Sequence, residues 1–148
     1  MLVPLMRLVC LLLILYSGGA SSPMGYDVHI TRATHWADSR AHPISFDEWK
    51  SYLRSDKEMR LDNRATGVTT AGDTIVTESP GIAVWVSWKK DGFGGGHAWF
   101  SYRDGEITVK DPDRDILRKM FTIAVALKAR VQGDEGETYD AKGDPHEP

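Results

Sequence analysis

The sequence predicts an α+β fold in which a mostly antiparallel sheet of five to seven strands is packed on one face by two helices. Three observations predict it. Short segments alternate between apolar and polar residues, which is typical of half-buried strands. Two longer segments carry apolar residues at helical spacing behind polar residues suited to helix starts. An Asp-Gly pair between two alternating segments is a strong local hairpin signal.

Length and composition fit one globular domain. The chain has 148 residues, of which 41% are hydrophobic and 26% charged. The formal net charge of −3 argues against nucleic acid as a partner, because proteins that bind phosphate backbones concentrate excess Lys and Arg. Cys10, the single cysteine, lies ahead of the first predicted strand. Disulfides, cysteine nucleophiles and thiolate metal sites are therefore excluded from the domain.

Residues 1–23 have the pattern of a secretory signal. Arg7 precedes an apolar run at 8–15, and Gly18 and Ala20 are the small residues that signal peptidase needs at −3 and −1. The apolar run is shorter than the roughly 20 residues that span a bilayer, so no stable membrane span is expected.

A second interpretation starts translation at Met24, where the first strand follows at once. The protein is exported, to the periplasm or the medium, if the leader is used, and cytoplasmic if translation starts at Met24. Either way, residues 24–140 are predicted to form a single α+β domain, and residues 141–148 a flexible polar tail.

The first half of the domain begins with a strand and a helix. Residues 26–31, YDVHIT, alternate with period two. The helix is predicted to start at Ser45, because Ser45 and Glu48 form a capping-box pattern and Ile44 is placed to contact Trp49. A hairpin is expected between about Val68 and Val76, where two registers fit equally well. IAVWVSW at 82–88 has the composition of a central strand covered on both sides.

The second half contains the clearest hairpin. A two-residue turn at Asp104-Gly105 sets Arg103 opposite Glu106 and gathers four apolar residues on one face, namely Phe100, Tyr102, Ile107 and Val109. The second helix is predicted to be capped by Asp111, with Pro112 at its first position. A short hairpin should follow at 130–140, with the acidic segment 133–137 as its turn rather than a cation site.

The segment KKDGFGGGHAWF, residues 89–100, resembles a phosphate-binding loop only in composition. In a Walker loop the lysine follows the glycines and opens a helix, whereas here the lysines come first and a strand follows. A dinucleotide fingerprint fails because no helix follows its glycines. The segment is therefore predicted to be a mobile hairpin connection, with a loop that closes over a partner as the alternative.

No metal, cofactor or catalytic residue is indicated by spacing. The first three histidines, His29, His35 and His42, match no ligand pattern. The acidic segment DPDRDI lacks the glycine and glutamate that a calcium loop needs, and no serine stands in a nucleophile elbow.

Tryptophan is unusually frequent, with five in the chain. Most are expected in the core, but Trp88 and Trp99 flank the glycine-rich segment, where an exposed aromatic can anchor a partner. The predicted binding surface consists of Trp88, Lys90, Phe93, His97 and Trp99.

Several segments resemble a family of small, uncharacterised bacterial α+β proteins whose chains begin with an MGYDVHITR-like strand. They are MGYDVHITRATHWAD, GIAVW, AWFSYRDGEITVKDPD, ILRKM and ARVQGDEGETYD, and the similarity covers about Met24 to Asp140. The resemblance implies no catalytic residue. Two departures are the residues ahead of Met24 and Lys128, which stands where a helix-ending glycine is expected.

The sequence therefore favours a small non-catalytic binding protein, of the kind that neutralises a protein partner. The alternative is a small hydrolase whose histidine and carboxylate residues converge only in the folded chain.

Overall fold

The computed structural model describes residues 25–88 and 97–148, and these form an α+β fold with two helices. The helices are α1 (Phe46–Ser55) and α2 (Arg114–Ala126). The strands are β1 (Asp27–Thr31), β2 (Met59–Leu61), β3 (Arg64–Val68), β4 (Thr74–Glu78), β5 (Ala83–Trp85), β6 (Ala98–Arg103), β7 (Glu106–Lys110), β8 (Arg130–Gly133), β9 (Thr138–Tyr139) and β10 (Pro145–His146).

The main sheet has eight strands in the order β10-β9-β8-β1-β7-β6-β5-β2, while β3 and β4 form a separate two-stranded sheet. The strand pairs are antiparallel, as predicted, but the expected number of five to seven strands was wrong. β2 has three residues, and β9 and β10 have two each. Strands this short cannot display the alternation by which a strand is recognised in a sequence.

The first strand lies at the centre of the sheet because the chain returns to it twice. β1 pairs with β7, with Val28 opposite Val109, and with β8, with Ile30 opposite Val131. All four side chains are buried in one core cluster. Residues that alternate with them, including His29, therefore lie on the opposite face of the sheet.

The β6–β7 hairpin confirms the predicted register. Arg103 lies opposite Glu106, and Tyr102 lies opposite Ile107. Both turn residues have positive φ, 54° for Asp104 and 81° for Gly105, as a type I′ turn requires. The Glu106 carboxylate contacts His29 of β1 at 3.1 Å.

Helix α1 begins where its sequence predicted. The Ser45 side chain accepts from the Glu48 amide, and the Glu48 carboxylate accepts from the Ser45 amide. Trp49 and Leu53 are buried one turn apart on the inner side of the helix.

Helix α2 begins two residues later than predicted. Asp113 is the N-cap and accepts from the Ile116 amide. Asp111 instead has φ 46°, and its carboxylate accepts from the Tyr26 amide. The prediction of Asp111 as the cap was wrong because this residue joins the end of β7 to the start of β1.

Lys128 follows α2 with φ 54°, a left-handed conformation that favours glycine. We expect Lys128→Gly to raise the free energy of unfolding by about 1 kcal/mol, since it removes the strain of a side chain in this region. Urea denaturation of the two proteins measures the difference. An unchanged or lowered stability would contradict the assignment of strain to this residue.

The predicted central strand at 82–88 is shorter than expected and lies near one end of the sheet. β5 ends at Trp85, between β2 and β6, and Val86 is about half exposed. The apolar run suggested burial on both sides over its full length, which was wrong.

Residues 141–148 lie against β9 and α2. β10 pairs with β9, and Asp144 forms an ion pair with Arg114 at 2.7 Å. A hydrogen bond with His146 at 2.7 Å lowers the pKa of Asp140 to about 2. The mobility expected of this tail stays a prediction.

Candidate functional site

The sheet face that carries His29 is partly covered by a loop and partly by the β3–β4 hairpin. We call residues 32–43 the strap and residues 64–78 the arm. Trp99 of β6 lies opposite Val84 of β5, so the two side chains are on the same face of the sheet. Because Ala83 and Trp85 are on the face opposite to Val84, alternation places Trp99 on the face that carries His29.

A buried histidine with two carboxylate partners lies under the strap. His29 Nδ1 is 3.1 Å from Glu106 Oε1, and His29 Nε2 is 2.9 Å from Asp134 Oδ1. The Trp36 ring stacks on the imidazole with centroids 4.3 Å apart and an interplanar angle of 2°. His29 is only 4% exposed.

The charge state of His29 follows from these contacts. Burial alone lowers the pKa of His29, but the hydrogen bonds with Glu106 and Asp134 outweigh it and raise the pKa above its ordinary value. The protonated ring donates one N–H to each carboxylate. A histidine with both nitrogens engaged in this way cannot accept a proton as a general base.

The same three residues do not converge on a metal. The two carboxylates bind different ring nitrogens and therefore lie on different sides of the imidazole. Within residues 25–88 and 97–148, no group of three or more potential ligands has the geometry to hold an ion.

The strap is tied to this cluster by several hydrogen bonds. Ser39 Oγ donates to Glu106 Oε2 at 2.8 Å, and the Trp36 indole N–H donates to the Asp134 carbonyl at 3.2 Å. The Trp36 amide donates to Gln132 Oε1 at 2.6 Å. The polar residues under the strap thus hold the loop on the sheet.

The acidic segment 133–137 forms the predicted turn between β8 and β9. Tyr26 and Tyr139 both donate to the Glu137 carboxylate. Burial, reinforced by the Glu137 hydrogen bond, raises the pKa of Tyr139 to about 12. A Cβ at Gly133 would collide with Glu137 and Tyr26, so glycine makes room for this cluster.

The arm is the part of the described chain with the most exposed apolar residues. Val68 is 58% exposed, Ile75 55% and Val76 46%. Its register places Thr66 opposite Val76 and Val68 opposite Thr74, so Val68 and Val76 share one face and Ile75 lies on the other.

The arm contacts the main sheet through β3. The Trp99 indole N–H donates to the Thr66 carbonyl at 3.2 Å. At the base of the arm, the Asn63 side chain accepts from the Gly81 amide at 2.9 Å, and Ser79 donates to the Asn63 carbonyl. β4 is therefore the outer strand of the arm.

The structure brings together two of the predicted binding residues and places a third elsewhere. His97 and Trp99 stack with ring centroids 5.3 Å apart. Trp88 packs against the core, and its indole N–H donates to Asp113 Oδ2 at 3.2 Å. Lys90 and Phe93 lie outside the described residues, as does the proposed hairpin connection at 89–96.

A shallow cavity of about 410 Å³ lies beside Trp88, lined also by Trp85, Arg118 and Lys119. Lys119 is buried and ion-paired with Asp56 at 2.7 Å and with Glu58 at 2.9 Å. Burial alone raises the pKa of Asp56, but its hydrogen bonds, the one from Lys119 foremost, outweigh burial and lower it. The charge of Lys119 is thus balanced within the protein.

Sequence reasoning missed both the histidine cluster and the exposed apolar arm. The arm left a signal, since threonine and valine, which favour strands, stand on both sides of the TAGDT turn, with isoleucine after it. Such a pattern predicts two strands but not whether their apolar side chains meet a core. The histidine cluster left no local signal because its members come from distant segments.

Comparisons with known protein families, with curated proteins and with solved structures find no match to the chain. Among the helices of the described residues, none is long and apolar enough to cross a membrane.

Proposed function

We propose that the chain is a small, non-catalytic binding protein that contacts a protein partner through the arm and the neighbouring Trp99. The observation that carries the proposal is the exposure of Val68, Ile75 and Val76 on a hairpin of 15 residues. Clustered apolar residues on a protein surface are typical of interaction sites.

The backbone of the arm supports the same proposal. An isolated two-stranded hairpin is only marginally stable in water, and a third strand would stabilise it. β4 has the sequence TIVTE, without the lysine or proline that commonly protects an edge strand. A partner that adds a strand to β4 would combine main-chain hydrogen bonds with contacts to Ile75 or Val76.

The aromatic pair beside the arm extends this surface. His97 is exposed and Trp99 is half-buried, and the two rings stack next to the strand that holds Thr66. Tryptophan is frequent among the residues that dominate binding energy. The partner that binds the arm and Trp99 would be a protein. The chain would neutralise this partner by covering part of the partner's surface.

Neither of the two described α-helices covers the sheet face that carries the strap and the arm. We infer that both helices cover the same face of the main sheet. Trp49 of α1 and Met120 of α2 belong to one buried cluster with Val28 and Ile30 of β1. The partner would then bind the opposite face, where the arm and Trp99 lie.

The hydrolase alternative has less support. His29, which contacts two carboxylates, is buried, and its ring nitrogens are both occupied. The second histidine–carboxylate pair of the described residues, His146 with Asp140, is exposed at the end of the chain. Neither arrangement provides an activated nucleophile.

The test uses the full chain as bait to capture its partner, followed by titration of purified partner against variants. Val68→Thr combined with Val76→Thr keeps branched side chains on the strands but removes apolar contact on one face of the arm. We expect the dissociation constant to rise about tenfold or more, as for residues at the centre of an interface.

Val125→Thr is the matched control, because Val125 is 62% exposed on α2, away from the arm. It should leave the affinity unchanged. Ile75→Thr reports whether the second face of the arm takes part. Equal affinities for the wild type and the Val68/Val76 double variant would exclude the arm as the contact surface.

A further inference from the structure

The strap is held on the sheet by a cluster that depends on one proton. We propose that His29, in its charged form, is a latch that holds the strap (residues 32–43) against the sheet, and that loss of its proton releases the strap. The proposal rests on the position of His29 between Glu106 and Asp134 and beneath the Trp36 ring.

The number of N–H donors on the His29 ring differs between its two charge states. An imidazolium has two N–H groups and satisfies both carboxylates. A neutral imidazole has one N–H and one lone pair, so one carboxylate would face a lone pair at about 3 Å. Two acceptors facing each other at a buried site cost about 1–3 kcal/mol. One carboxylate must therefore move when the proton is lost.

Movement of either carboxylate reaches the strap. Glu106 accepts from Ser39 in the strap, at 2.8 Å. The backbone carbonyl of Asp134 accepts from the Trp36 indole, at 3.2 Å. Asp134 is the carboxylate with more access to water, since its side chain is 35% exposed against 13% for Glu106. We expect the Asp134 carboxylate to turn outward and to lose its hydrogen bond from the Asp27 amide at 2.9 Å. The backbone at Asp134 should then shift, and its carbonyl should lose the hydrogen bond from the Trp36 indole.

Other charged groups around the latch come from each neighbouring element. On β1 itself, Asp27 lies two residues away, and its carboxylate is 3.6 Å from the ammonium of Lys110 on β7. On the strap, His35 lies next to Trp36 with ring centroids 5.5 Å apart, and Asp38 is exposed. On β8 the residue opposite His29 is Gln132, which is neutral.

The direction of the pH effect follows from the two carboxylates. They raise the pKa of His29 above the value near 6.5 of an unfolded chain, despite burial. The stabilisation from the charged ring is fully present below pH about 6.5 and is lost as pH rises through the folded pKa. The strap should thus be closed at acid pH and released as pH rises through the folded pKa of His29.

Release should be local. The Gln132 side chain still binds the strap through the Trp36 amide and the Thr34 carbonyl, and Ile44 donates to the Gly105 carbonyl at the end of the strap. These contacts do not involve His29. The core on the other face of the sheet is untouched.

Amide hydrogen exchange by NMR tests the latch, expressed as protection relative to an unstructured chain at the same pH. The titration of His29 is followed through its ring signals in the same samples. We expect the protection of the Trp36 indole N–H, followed in the same spectra, to fall about tenfold or more as His29 loses its proton. Protection of Phe100, in the core, should stay constant.

Asp134→Asn makes the test specific. In this variant a neutral His29 can donate to Glu106 and accept from the asparagine amide, so the strap should stay protected over the whole pH range. His146→Gln is the control for the other histidine–carboxylate pair and should behave as the wild type. Loss of the His29 proton without a fall in Trp36 protection, or the same fall in Asp134→Asn, would overturn the proposal.

Discussion

Replacing Trp49 by alanine is expected to lower the free energy of unfolding by about 3–5 kcal/mol. Trp49 is fully buried, belongs to the core cluster, and stacks parallel to Tyr52 with ring centroids 6.0 Å apart. Its indole N–H donates to the Gly81 carbonyl at 2.8 Å. Alanine would leave a cavity in the core cluster and an unpaired carbonyl. Urea denaturation at constant pH measures the loss.

Trp99→Ala is the matched control for the same change of side chain. Trp99 is half-buried on the opposite face of the sheet, and its indole binds the arm. We expect a loss of only about 1 kcal/mol, close to the average for a substitution. Equal losses for the two variants would contradict the placement of the core on the side of Trp49.

Gly105→Ala is expected to lower the free energy of unfolding by about 3 kcal/mol, in two parts. Gly105 has φ 81°, and an alanine held there costs about 1–2 kcal/mol. A Cβ would also lie 2.6 Å from Pro43 Cβ and 2.9 Å from the Ser39 carbonyl oxygen. Because much of this contact is with backbone, relief requires the strap to move, at a further cost of about 1–3 kcal/mol.

A substitution at Gly72 separates the conformational cost of a positive φ from the cost of the steric contact with the strap. Its φ is 88°, but nothing lies within 4 Å of the position of a Cβ. Gly72→Ala should therefore show the conformational cost alone, and the difference between the two variants is the cost of displacing the strap. Thermal and urea denaturation of both proteins provide the comparison. Equal losses of stability in Gly105→Ala and Gly72→Ala would mean that a Cβ at position 105 makes no costly contact with Pro43.

Local signals in the sequence predicted the elements that local interactions determine. Asp104-Gly105 set the register of β6 and β7, because a two-residue turn permits a single pairing. Ser45 and Glu48 set the start of α1 through reciprocal hydrogen bonds. At α2 the local pattern predicted Asp111 as the cap, but Asp111 contacts Tyr26 and Asp113 caps the helix.

The candidate site could be predicted only in part. Alternation places His29 on the polar face of β1, but Glu106 and Asp134 lie 77 and 105 residues further along the chain. Only the strand order brings them together, since β1 lies between β7 and β8. The same order separates His29 from His97, because β7 lies between β1 and β6. A sequence pattern shows which residues of a strand share a face of the sheet, but not which strands lie beside that strand.

The most direct test of binding through the arm is the hydrogen-exchange footprint of the captured partner on this chain. We expect the amides of β4, residues 74–78, to gain protection in the complex, together with those around Trp99. The strap amides should be unchanged. Protection confined to residues 32–43, with β4 exchanging as in the free protein, would contradict the arm as the binding surface.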